Sequence, residues 1–178
     1  MPESQIVTVR RLVADEWQIY RAIRLAMLHE SPSVFGGNHH ETAGHDEQAW
    51  RQRLTDNAVL LAKAGRAPAG SAMYSVFGAV RLGDCSLVGM WVDPGFRRTG
   101  VGRVLVNAVI AQARAAGKRR VVLHVLADNT GARELYEGAG FVPTGRSVPY
   151  PHDDRRTEVE MELVVGQGHS PVTPDEIG

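Results

Sequence analysis

Positions 92–105 read V-D-P-G-F-R-R-T-G-V-G-R-V-L, and this stretch decides how the chain folds. Its apolar start predicts a strand ending at Asp93-Pro94, then a short arginine-glycine loop, then a helix entered near Gly100. The first amides of such a helix have no partner inside it, and its positive end favours anions. Gly100 and Gly102 lack Cβ atoms, so a ligand can approach the main chain closely, while Arg97, Arg98 and Arg103 add positive charge. The run Arg97, Arg98, Thr99, Gly100, Val101, Gly102, Arg103 therefore has the anatomy of a pyrophosphate cradle. Two familiar nucleotide loops do not fit it. A Walker A loop needs Lys-Ser/Thr after its last glycine, where Arg103-Val104 stands, and the dinucleotide fingerprint needs glycine at Leu105.

What the segment does resemble is the Arg/Gln-x-x-Gly-x-Gly/Ala motif of the GNAT family of acyl-CoA-dependent N-acetyltransferases, matched by Arg97, Gly100 and Gly102. A second match lies at the distance the family expects, in L-H-V-L-A-D-N-T-G-A-R-E-L-Y-E-G-A-G-F at 123–141. It supplies a strand, then Asn129, Ala132, Leu135 and Tyr136 on a short helix, then Gly140-Phe141 opening another strand. The resemblance is clear over 84–163, and Ile23-Arg24-Leu25 with Ser33-Val34-Phe35-Gly36 is similar to the family's acceptor region. Residues 164–178 have no counterpart.

The resemblance implies an α/β fold: one GNAT-like domain over 1–165, with a mixed, mostly antiparallel central sheet flanked by helices on both faces. It also implies transfer of an acetyl group from acetyl-CoA, as co-substrate, to a primary amine of a small molecule or a protein, by direct attack in a ternary complex. Main-chain amides of Met90, Trp91 and Val92 would hold pantetheine and the oxyanion, the 97–103 loop the pyrophosphate, and Asn129 the pantetheine arm. Tyr136 would protect the leaving thiolate. A lysine-like amine with a pKa of about 10.4 is only about one part in a thousand neutral near pH 7.4, so something must take its proton. Many relatives use a glutamate on one of the two central strands, and neither strand has a carboxylate here. His124 occupies the place of that glutamate in some relatives and is the candidate base.

Each role has a plainer reading beside it. Leu135-Tyr136 also fits a core pair, Asn129 a helix cap, and His124 a hydrogen-bonded histidine on a sheet face. A non-catalytic acyl-CoA sensor is the rival of another class, supported by the missing carboxylates and opposed by Tyr136; a transferase of longer acyl groups is a third reading. His39-His40-Glu41 with His45 lacks the spacing of a recognised zinc site, so no metal is expected. Lys118-Arg119-Arg120 reads either as a contact to the adenosine 3′-phosphate or as a solvated helix end.

Composition narrows the classes further. Twenty basic and twenty acidic residues cancel in 178, which argues against a nucleic-acid or anionic-membrane binder. No apolar run approaches the roughly 20 residues of a membrane span, and the polar start is no signal peptide. Cys85 alone cannot form an intramolecular disulfide, which points to a reducing, cytoplasmic setting. Dimers are common in the family, and a homodimer stays open.

Along the chain, the patterns predict an edge strand over 6–10, a helix over 15–29 and an irregular stretch over 33–45. A helix capped by Asp46 follows to about 56, then a meander of strands over 59–63, 70–80 and 86–92. The helix over 100–116 is expected to bury Val101, Leu105, Ala108 and Ala115 and to end at Gly117-Lys118. A buried strand over 121–126, a helix over 130–138 and strands over 141–142 and 157–163 complete the domain, with 149–154 as a loop. Residues 166–178 read as a flexible tail.

Overall fold

In the computed structural model, residues 6–35, 38–77 and 81–166 are described. Seven strands form one sheet in the order β1-β2-β3-β4-β5-β7-β6. They are β1 Val7–Arg11, β2 Ala58–Ala64, β3 Ala67–Ser75, β4 Cys85–Val92, β5 Arg120–Leu126, β6 Val142–Tyr150 and β7 Asp153–Val164. Every pairing is antiparallel except β4 with β5, which are joined by a crossover through α4, Val101–Ala115. Parallel neighbours need such a crossover because a tight turn can only reverse the chain.

One face of the sheet is covered by α4 and by α5, Thr130–Gly138, over a core of β2 to β5, Phe141 and Met161. The other face holds α1, Trp17–Glu30, and α3, Glu47–Asp56, whose Tyr20, Ile23, Met27, Trp50 and Leu54 pack on Val59, Leu61 and Trp91. The expected helices on both faces of a mixed sheet are thus present. Asp46 caps α3 as read from the sequence, accepting the Ala49 amide at 2.8 Å. The end of α4 is also as read: Gly117 has φ +64°, and the Lys118 and Gly117 amides return to the carbonyls of Ala113 and Arg114 at 2.9 and 3.0 Å. That pattern satisfies the last helical carbonyls where a side chain at positive φ would be strained.

Three local expectations need correction. The stretch 33–45 is not irregular throughout: α2, His39–Ala43, is capped by Asn38, whose side chain accepts the amides of His40 and Glu41. The buried stripe of α4 is Val101, Leu105, Val106, Val109, Ile110 and Ala113; Ala115 is exposed. At 100° per residue that stripe centres on Val109, which leaves Ala108 and Ala115 at its rim. The strand after α5 runs through Pro149 and Tyr150 instead of stopping at 142, so only Pro151 and His152 separate it from β7. Pro143 and Pro149 hid it, yet both sit on the strand at the edge of the sheet, where proline is tolerated. No helix among the described residues is long and apolar enough to cross a membrane. The tail expected beyond 166 lies outside the described residues.

Candidate active site

The central feature is a gap in the sheet. β4 and β5 pair at Cys85↔Val121 and Ser86↔Val122 and nowhere further, so the edge of β4 from Leu87 on is left without a ladder partner on that side. Two features open the gap. Gly89 has φ +57°, and the β3–β4 register slips by one residue between Ser71↔Trp91 and Met73↔Val88, which is a bulge that bends β4 away. At the closed end Arg120 donates to Asp84 at 2.6 Å and also pairs with Glu162, holding β4, β5 and β7 together. The Asp84 side chain there is fully buried.

The gap widens into a cleft of about 440 Å³. Met90, His124, Asn129 and Tyr136 all line it, so four of the side chains singled out from the sequence meet in one place. Asn129 carries out the capping role as well: its Oδ1 accepts the Ala132 amide at 3.2 Å. Tyr136 is 6% exposed, packed 5.9 Å from the Phe141 ring, and burial alone pushes its pKa far above the ordinary tyrosine value. Its hydroxyl is therefore protonated throughout the physiological range and acts as a donor.

Beyond the mouth of the gap lies the phosphate-cradle loop. Asp93 accepts the Gly95 amide at 2.8 Å, Pro94–Phe96 makes one 3₁₀ turn, and the Thr99 hydroxyl donates to the Phe96 carbonyl at 2.6 Å. Arg98 then takes φ +64° and Gly100 φ +93°, and no side chain caps α4. The amides of Val101, Gly102 and Arg103 thus begin a helix without a capping acceptor, and a Cβ on Gly100 would meet open space. This arrangement fits a pyrophosphate. Two residues of the motif also have partners within the protein. The Arg97 guanidinium turns back, donating to the Val92 carbonyl at 3.1 Å and pairing with Glu30 at 2.9 Å. A Cβ on Gly102 would lie 3.0 Å from Leu135 Cδ2, so this glycine serves the approach of α4 to α5. Arg103 reaches across to the Gly138 carbonyl at 3.2 Å, at the negative end of α5.

Sequence reasoning missed several residues of the site. Glu160 on β7 faces His124, Oε2 to Nε2 at 3.6 Å, and is itself buried and hydrogen-bonded by Thr144 at 2.9 Å. Glu158 lines the cleft two residues earlier on the same face. Their signal was the period-two alternation of 157–163; what it lacked was the neighbour, because β7 inserts between β5 and β6. Glu30 anchors the front wall: burial pushes its pKa up, but hydrogen bonds from Ser31, Trp91 and Arg97 outweigh that and hold it below the usual carboxylate value. Arg156 ties three walls together, pairing with Asp128 at 2.8 Å, donating to the Ser33 carbonyl at 2.7 Å and lying over the Tyr150 ring. Two residues of the basic run at 118–120 are committed elsewhere. Arg119 holds the Leu82 carbonyl and Arg120 the Asp84–Glu162 pair, at the far end of α4, about 22 Å of helix from its N-terminus. His39 packs on His29 and His45 on Trp50, and among the described residues no three potential metal ligands come together.

Comparison with known proteins agrees with this fold. The model of the acetyltransferase (GNAT) family matches residues 21–141. A mycothiol acetyltransferase of Beutenbergia cavernae is 42% identical over 59 residues, 33% of this chain and 20% of that protein. The [ribosomal protein bS18]-alanine N-acetyltransferase of Escherichia coli K12 is 36% identical over 80 residues, 44% of this chain and 54% of that protein. The matches thus span from a fifth to about half of these relatives. Among solved structures, yncA of Salmonella typhimurium, described as a putative acetyltransferase with its cofactor acetyl-CoA, superposes with a TM-score of 0.72 at 20% identity. That match covers 93% of this chain and 98% of the other. The ribosomal-protein-S18-alanine N-acetyltransferase of Escherichia coli gives 0.67 at 19% identity, covering 94% and 99%. At such identities the likeness is one of fold.

Proposed function

Because the chain belongs to the acetyltransferase (GNAT) family, we propose that it is an N-acetyltransferase carrying an acetyl group from acetyl-CoA to a primary amine. The observation that supports this most is the nearness of three features. The unpaired edge of β4 and Tyr136 line one cleft, and the uncapped start of α4 lies beside it, a Cβ on Gly102 coming 3.6 Å from Met90 Cε. When bound, acetyl-CoA supplies the activated acetyl thioester; the rest falls to this chain. The amides at 98–103 and the charge of Arg98 hold the pyrophosphate, and the free edge of β4 at Met90, Trp91 and Val92 holds the pantetheine arm with help from Asn129. The same amides stabilise negative charge on the acetyl oxygen.

His124 takes the proton of the acceptor amine, with the Glu160 carboxylate behind it to stabilise the imidazolium. Tyr136 gives its proton, or a hydrogen bond, to the departing sulfur. Bound in this way, the amine attacks directly and no acyl group passes through the protein; the one cysteine is fully buried. That cysteine also suits a reducing, cytoplasmic setting, and the cancelled net charge suits a small or peptide acceptor.

Two measurements test the reading. Calorimetry should register acetyl-CoA binding, and release of free thiol should follow addition of at least one amine from a broad panel. Absence of binding would remove the assignment, and binding with no turnover on any amine would favour an acyl-CoA sensor.

A further inference from the structure

The matching relatives are named for different acceptors, so the acceptor must be read from the cleft itself. One wall of it is built by β5, β6 and β7, which supply His124, Tyr150 and Glu158. His124 stands opposite Glu160 on the β5–β7 ladder, and Leu126 stands opposite Glu158 one pleat further on. Residues two apart on a strand share a face and lie about 7 Å from each other. Glu158 is therefore one pleat beyond the place where the acceptor amine meets His124.

Two side chains of this corner are not used by the mechanism. Glu158 is the one acid among the described residues lining the cleft, and its carboxylate makes no ion pair or hydrogen bond among them. The other acids of its stripe are matched, Glu160 by His124 and Thr144, and Glu162 by Arg120. Tyr150, lining the same cleft, is 4% exposed, and its hydroxyl is buried without a hydrogen-bond partner among the described residues. An unmatched buried hydroxyl costs about 1–3 kcal/mol, so it marks a place where a partner belongs. The ring is held there, with His152 packed on it at 5.3 Å and the Arg156 guanidinium over it.

Charge decides the kind of partner. Burial and then the Glu158 carboxylate raise the pKa of Tyr150, while Arg156 acts less strongly the other way and is itself paired with Asp128 at 2.8 Å. The field at the hydroxyl is thus dominated by the carboxylate. An ammonium, with three donors and no acceptor, can donate to the carboxylate and to the phenol oxygen together. Arg24, the one guanidinium lining the cleft, comes from α1 and not from these strands. Leu126, Val34 and Phe35 give the same cleft an apolar lining that suits methylene groups.

We propose that Glu158 and Tyr150 hold a second ammonium of the acceptor, so that the molecule acetylated is a short diamine, one nitrogen facing His124 and Tyr136 and the other bound about 7 Å away. This rests on the transferase reading and adds the substrate class to it.

The test uses matched pairs: α,ω-diamines of increasing chain length, each with the monoamine that carries a methyl group in place of the second nitrogen. With saturating acetyl-CoA, KM for the diamine that spans the two places should be at least about tenfold below that of its monoamine, the size of one charge-assisted hydrogen bond. Glu158→Gln should raise KM for that diamine about tenfold or more and leave KM for the monoamine and the affinity for acetyl-CoA unchanged. Tyr150→Phe should raise the same KM a few-fold without lowering the melting temperature, because it removes an unmatched buried hydroxyl. A retained acetyl-CoA-induced rise in melting temperature shows that each variant is folded.

Equal KM values within every pair, or a Glu158→Gln effect equal for diamine and monoamine, overturn the proposal while leaving the transferase reading intact. If no amine is acetylated, yet diamines raise the melting temperature and Glu158→Gln removes that rise, the corner stands and the transferase reading falls. If no amine is acetylated and none moves the melting temperature, both fall.

Discussion

Replacing Tyr136 by Phe isolates the role of one hydroxyl. The ring is retained, with its packing on Phe141 at 5.9 Å and its place on the buried side of α5. Burial is the one cause of the raised pKa; no charged or hydrogen-bonding neighbour offsets it. Stability should therefore change by no more than about 1 kcal/mol, and losing a desolvated hydroxyl favours the variant. Catalysis is different, because negative charge on sulfur develops only as the thioester breaks. A hydrogen bond to a charged group contributes about 1.5–3 kcal/mol, so kcat should fall about 10- to 100-fold. Acetyl-CoA affinity, set by the amides at the start of α4 and along β4, should not move.

The assay is steady-state release of free thiol, with calorimetry for acetyl-CoA binding and a thermal melt. Full proton transfer from Tyr136 is uphill, since its pKa lies far above that of a thiol in water, about 8.5. The hydroxyl is expected to act mainly as a donor to developing charge, and no fall in kcat below pH 10 should trace to its ionisation. An unchanged kcat would take Tyr136 out of the mechanism. A joint loss of kcat, cofactor affinity and melting temperature would show that it is a packing residue.

Three further outcomes are expected. Gly100→Val forces a β-branched residue to φ +93°, at a cost of about 1–3 kcal/mol, and should abolish acetyl-CoA binding by calorimetry while the far-UV spectrum stays native; undiminished binding would show that the cradle lies elsewhere. Arg120→Ala strands the fully buried Asp84 carboxylate at the closed end of the gap and should lower unfolding free energy by about 3–5 kcal/mol in urea; a loss below about 1 kcal/mol would contradict the pinning role.

Cys85 is fully buried, and burial raises its pKa from 9.0 to about 11. Stability from keeping this thiol neutral is complete below pH 9 and lost as pH rises toward 11, because the unfolded chain gives up the proton first. The loss amounts to about 3 kcal/mol, and Cys85→Ala should flatten this part of the profile; an identical alkaline slope in the variant would count against it.

The cradle was legible because its physics is local. A strand stop at Asp93-Pro94, glycine at the helix entrance and unpartnered amides follow from neighbours in sequence, and so do the caps by Asp46 and Asn129 and the turn at Gly117. Local reasoning could not see the second partners of these residues. Gly102 reads as a site of ligand approach, and Leu135, from another helix, also stands 3.0 Å from where its Cβ would be. Arg97 reads as a phosphate ligand, and its guanidinium also pairs with Glu30, 67 positions away in the chain. Asn38 and its short helix were passed over because the glycines and histidines around them carry no period.

The sequence by itself pointed to the family and to most of the order of elements, and named Tyr136, Asn129 and His124 as candidates, since each of these depends on residue type and short spacing. Only the tertiary structure decided what stands beside them. Strand order 5-7-6 brings Glu160 behind His124, and a bulge at Gly89 parts two strands that share only two residue pairs. The reason is that a strand's period fixes which face a side chain takes but not which strand lies next to it. That choice is made by the burial of the whole sheet at once, a non-local quantity that no window of sequence contains.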